Sequence, residues 1–153
     1  MAQFRRLLLS YTDFKHAKLV AEYILQNQLH KQYPGEAHIL LPALNCSMIM
    51  AYTRPFSGNS GRVRKAVPDL PSRFLKLLSA DELEIHGIAL NDRNKFLAHT
   101  DAEAAALEPV RVKYSESVEL LVPLVVDRMA PLDEGPTELI RSAASKLFEE
   151  TPA

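Results

Sequence analysis

The chain has 153 residues, with 18 Lys and Arg against 19 Asp and Glu and a formal net charge of -1, a length that suits one domain of ordinary size. Apolar residues make up 47% and charged residues 24%, which excludes a disordered or fibrous chain, and the lone Cys46 excludes a disulfide framework or a thiolate zinc site within one chain. The apolar run Leu7-Leu8-Leu9 after Arg5-Arg6 stops at Ser10, and no window approaches the roughly 18 apolar residues of a membrane span. The expectation is a single cytoplasmic domain over 1–153, neither exported nor membrane-anchored. The charge is uneven. Residues 1–76 hold 11 Lys/Arg and 4 Asp/Glu, whereas 77–153 hold 7 and 15.

Phe14, Ala17, Val20, Ala21, Ile24 and Leu25 recur at spacings of three and four and predict an amphipathic helix from Thr12 to about Gln32, stopped by Tyr33-Pro34-Gly35. A second helix is predicted from about Glu36 to Thr53, apolar nearly all round and therefore central; Pro42 either sits in its first turn or kinks it. Cys46, Met48 and Met50 read as packing residues there. Phe56 to Leu70 reads as a long loop. Its two glycines fit neither a dinucleotide fingerprint nor a P-loop, but Arg62, Arg64 and Lys65 make it a candidate contact for phosphates. A short helix over Ser72 to Leu78 follows.

Ser79-Ala80-Asp81-Glu82 has the form of a capping box, and Leu83, Ile85, Ile88, Ala89, Leu90, Phe96 and Leu97 carry the helix it opens toward Thr100-Asp101. The helical core of the domain is thus expected over 12–107. Beyond it, the alternation Val110-Arg111-Val112-Lys113-Tyr114 and the Val/Leu run 118–126, interrupted by Pro123, predict short strands within 110–128. Pro136 to Glu150 predicts a C-terminal helix with Leu139, Ile140, Ala143, Ala144, Leu147 and Phe148 inward. The fold class is mainly α, a helical bundle with a small β-hairpin in the C-terminal third.

The chemistry concentrates in Arg93-Asn94-Lys95-Phe96-Leu97-Ala98-His99. On one unbroken helix Arg93 and His99 lie about 9 Å apart along the axis and about 120° apart around it. They share a site only if the helix ends first or if two copies meet across a two-fold axis. His86, seven residues before Arg93, falls on the same helix face and reads as a core or interface residue. His16, His30 and His38 lack zinc-ligand spacing, so no metal and no cofactor is expected.

This run resembles the signature of the HEPN superfamily, mostly helical domains marked by an arginine, a polar residue and, a few residues on, a histidine. Arg93, Asn94 and His99 match those positions. The run, with Tyr52-Thr53-Arg54-Pro55-Phe56 upstream, is also similar to a group of uncharacterised bacterial proteins with an RNK-x-x-AH core. The resemblance implies a metal-independent endoribonuclease of toxin or defence type, working as a homodimer, with an antitoxin protein as a further partner. In that role Arg93, Asn94 and His99 are catalytic. His99 exchanges the proton of a ribose 2′-OH, and Arg93 offers its planar fork to the phosphate. Arg54, Lys95, Arg62 and Arg64 would hold substrate phosphates. The other reading is a non-catalytic HEPN-like module that binds RNA or protein, or dimerises.

Overall fold

The structure is a computed structural model and describes residues 2–57, 68–94, 107–115, 118–125 and 130–151. The helical bundle expected from the sequence is present. It comprises α1 (Ala2–Gln26), the single turn α2 (Leu29–Gln32), α3 (Leu40–Thr53), α4 (Ala80–Asp92) and α5 (Glu134–Glu150), with 3₁₀-helical segments at Arg54–Phe56 and Ser72–Leu77. Two strands, β1 (Leu107–Ser115) and β2 (Val118–Val125), pair antiparallel.

The four long helices pack as a ring in which α1 touches α3 and α5, and α4 closes against both of them. Side-chain contacts fix the directions. Asp13 meets Arg54 and His16 meets Ser47, so α1 and α3 run antiparallel. Tyr11 stacks on Phe148 while Glu22 lies close enough to Arg141 to raise its pKa, so α1 and α5 do too. Glu82 bonds Lys146, and Ile88 shares a pocket with Leu139, so α4 also opposes α5. One end of the bundle therefore gathers the starts of α1 and α4 with the ends of α3 and α5; the other holds the end of α4.

The core follows the apolar stripe. Phe14, Ala17, Ala21 and Ile24 of α1 are fully enclosed, as are Ile140, Ala143, Ala144 and Leu147 of α5. The buried alanines on both helices let the backbones close on each other, and larger rings fill the space toward α3, where Phe14, Tyr52 and Phe56 sit tilted at 5.8–6.3 Å between centroids.

Several boundaries differ from the sequence prediction. α1 starts at Ala2, ten residues earlier than Thr12, because Arg6, Ser10 and Asp13 continue the buried stripe with polar side chains. The chain then breaks at Gln28, whose φ of 50° is left-handed, before the turn α2. α3 begins at Leu40, so Pro42 stands in its first turn, where no intrahelical N–H is required of it. Nor is α3 enclosed all round: Leu40 and Ala43 are exposed, and Cys46, Ser47 and Met50 are half-buried. The α-helical part of α4 ends at Asp92, with Arg93 and Asn94 in wider π-type turns, and the predicted end at Thr100-Asp101 lies outside the described residues. α5 starts two residues before Pro136.

β2 runs through Pro123, which lies directly opposite Pro109. In a two-stranded antiparallel pair, alternate residue pairs exchange no hydrogen bonds, and two prolines facing each other fit only such a pair.

Candidate functional site

α4 is fastened at its start. Ser79 Oγ accepts from the Glu82 backbone N–H, and Glu82 Oε2 accepts from the Ser79 N–H at 2.7 Å, completing the capping box. The same carboxylate takes Lys146 Nζ at 2.7 Å from α5. Burial pushes the Glu82 carboxyl up, but Lys146, the Ser79 amide and Ser142 together outweigh it and hold the group below its ordinary range.

Arg93 and Asn94 stand at the other end of the helix. The Arg93 backbone N–H is shared between the carbonyls of Ala89 and Leu90, and its guanidinium Nη1 donates to Asn94 Oδ1 at 2.8 Å. Asn94 is exposed and Arg93 half-buried. One N–H of a planar five-donor fork is thus oriented by the neighbouring amide, an arrangement suited to an oxyanion. Asp92, just before it, has its carboxyl pushed up by burial against the opposing pull of an Asn91 hydrogen bond. His99, Lys95, Arg62 and Arg64 lie outside the described residues.

The structure does not bring Arg54 to this end. Its Nη1 is 2.7 Å from Asp13 Oδ1, in the 3₁₀ turn that follows α3. Tyr52 and Phe56, on either side of Arg54, both touch His86, and Arg93 lies seven residues beyond His86, about 10 Å farther along the axis. Arg54 and Arg93 therefore stand apart along the bundle.

His86 is a core residue. Its ring lies nearly perpendicular to Phe56 at 4.5 Å and to Tyr52 at 5.8 Å between centroids, with Nδ1 3.3 Å from the Tyr52 hydroxyl. Desolvation lowers its pKa, so the neutral ring is favoured. His30 is equally committed: its Nε2 sits 2.8 Å from the Leu132 carbonyl, which can only accept, so that nitrogen carries the proton.

Sequence reasoning missed a polar cluster built on α1. Arg6 and Asp13 are both buried; the Arg6 guanidinium donates to the Pro68 carbonyl, and Leu70 N–H reaches Pro55 O at 2.8 Å, closing the base of the 56–69 segment. Burial pushes the Asp13 carboxyl up, more than Arg54 and Arg6 pull it down, and burial lowers the pKa of Arg6. Ser10 Oγ, one turn after Arg6, is buried with no hydrogen-bond partner among the described residues. The 4-3-4 spacing of Arg6, Ser10, Asp13 and Ala17 was the available signal, since it continues the apolar stripe of Phe14 and Ala21 toward the N-terminus.

Among the described residues no group of three or more His, Cys, Asp or Glu is placed to hold a metal ion, and no helix is long and apolar enough to cross a membrane. Comparison with protein-family models, curated proteins and solved structures gives no match.

Proposed function

We propose that the chain is a metal-independent endoribonuclease of the HEPN type, in the toxin or defence class, acting on RNA as a cytoplasmic homodimer. The observation that carries this reading is the Arg93–Asn94 pair at the C-terminal end of α4, a guanidinium oriented by the adjacent amide within the run R-N-K-F-L-A-H. The helical bundle supports it, as does the change from α-helical to wider π-type turns at Arg93 and Asn94, a departure from the straight α-helix on which Arg93 and His99 would point apart.

In this reading His99 takes the proton of the ribose 2′-OH, the 2′-oxygen bonds to phosphorus, and the phosphorus–5′-oxygen bond breaks, the leaving oxygen being protonated in turn. Arg93 carries the charge that builds on the phosphate oxygens, and Asn94 holds its fork. The need for a 2′-OH makes RNA and not DNA the substrate. Lys95, Arg62 and Arg64 supply flanking phosphate contacts, with Arg54 serving a more distant one.

The test is cleavage of a labelled RNA by the purified chain in the presence of chelator. Native protein should cut, whereas His99→Ala and Arg93→Ala should lose about a hundredfold or more of the rate while keeping the native helical spectrum. Equal cutting by the variants, or none by the native chain, would overturn catalysis and leave a non-catalytic RNA- or protein-binding module.

A further inference from the structure

The outward face of α4 has a character of its own. Leu83 is 42% exposed and Ile88 43%, both large aliphatics on solvent. Gly87, Glu84 and Asn91 are exposed with them. At about 100° per residue these five positions fan across about 140° of the helix surface, with Gly87, Glu84 and Asn91 between the two aliphatics. Beside Ile88 the surface dips into a pocket against the start of α5, lined by Asp81, Glu84, Ile85, Ile88, Pro136 and Leu139.

Two observations say what would cover this face. The first is charge. α4 contains Asp81, Glu82, Glu84 and Asp92 and no Lys or Arg. Glu82 is turned inward to Lys146, but among the described residues neither Asp81 nor Glu84 forms an ion pair. RNA is repelled by such a surface, and a second copy meeting it by two-fold symmetry sets carboxylate against carboxylate.

The second is Gly87. Glycine is the weakest helix former after proline, yet this one sits mid-helix, and a Cβ added there meets nothing within 4 Å. The chain's own packing does not call for glycine at this position. A missing side chain between two exposed aliphatics lets another backbone approach closely.

We propose that the outward face of α4, from Leu83 to Ile88 with its adjoining pocket, docks a basic amphipathic helix of another protein. An apolar side chain of that helix enters the pocket beside Ile88, its backbone crosses at Gly87, and its Lys or Arg residues reach Asp81 and Glu84. The site is separate from the RNA reading and does not rest on it.

The probe is a fluorescein-labelled, helix-forming peptide with Leu at i, i+3, i+4 and i+7 and Lys elsewhere, titrated with the full chain at about 0.1 M salt and followed by anisotropy. Saturable binding is expected, weakened about tenfold or more by Gly87→Leu and by Glu84→Lys and unchanged by Lys15→Glu on α1. Gly87→Leu should melt at or above the native temperature, which separates lost docking from lost folding. A peptide with Glu for Lys should not bind. Native-level binding by both variants, or equal binding of a scrambled Leu/Lys peptide, overturns the proposal. So does self-association of the chain that Gly87→Leu abolishes, which would assign the face to a second copy.

Discussion

Glu82 serves two purposes with one carboxylate, and substitution separates them. It is 2% exposed, accepts from the Ser79 amide in the capping box and holds Lys146 from α5. Glu82→Ala removes both. Loss of the reciprocal cap costs about 1 kcal/mol. The bond to Lys146 adds about 1 kcal/mol and no more, because Lys146 is 43% exposed and its ammonium returns to water. The vacated buried methylenes add about 1 kcal/mol. The expected total, about 3 kcal/mol, lowers the melting temperature by about 6–12 °C in a domain of this size. Glu82→Gln retains an acceptor for Ser79 and loses mainly the charge, so about 1 kcal/mol is expected from it. The carboxyl's folded pKa lies below its ordinary value of 4.5, so its contribution is complete above that pH and is lost as pH falls through the folded value. Urea unfolding followed by circular dichroism at pH 7 and pH 3 measures all of this, with Lys146→Met closing a double-mutant cycle. If Glu82→Gln is as damaging as Glu82→Ala, if Glu82→Ala and Lys146→Met add without coupling, or if the gap between native and Glu82→Gln is unchanged at pH 3, the account of α4's anchoring is wrong.

His86 titrates in the opposite sense. Burial depresses its pKa below the ordinary 6.5, so the unfolded chain binds the extra proton and stability is lost as pH falls below about 6.5; urea unfolding at pH 7.5 and pH 5 should show a loss that His86→Phe removes. For the proposed ribonuclease, Arg54→Ala should slow cleavage far less than Arg93→Ala and act on KM more than on kcat, because Arg54 is paired with Asp13 and stands away from Arg93; steady-state kinetics on labelled RNA would show it.

What could be read from the sequence, and what could not, follows from the range of the forces involved. The capping box was legible because its partners are three residues apart and bond in the same local turn. Pro42 could be narrowed to two placements because proline's constraint is local, and the structure takes the first-turn one. Arg6 and Asp13 were not legible as buried groups. A charged side chain reads as solvated until Pro68 and Arg54 arrive from more than forty residues away to satisfy it. The enclosure of α3 was overstated for the same reason: apolar composition shows that a helix can be buried all round, but neighbours decide whether it is, and Ile39 and Leu40 remain on the surface. At the candidate site the sequence carried the helix past Arg93 and Asn94 toward Thr100-Asp101, while the mutual hydrogen bond of the two side chains, made where the turns widen, had no local signal.

The two ends of α4 differ in a way that bears on how Arg93 can be approached. Its first turn is locked by the capping box and by Lys146, so the helix is a fixed lever; its last turn widens after Asp92 and presents a cation whose position suits the negative end of the helix dipole. Along the lever's outward side Asp81 and Glu84 repel polyanions. In the proposed ribonuclease reading, an RNA strand held at Arg93 would be steered toward α4's C-terminal end and away from its flank, which the docking proposal leaves to a cationic partner. The same separation keeps the two proposals independent: Glu84→Lys removes the repulsion along the flank without touching Arg93, so it should weaken peptide docking and leave RNA cleavage intact or faster, whereas a common surface would make both activities fall together.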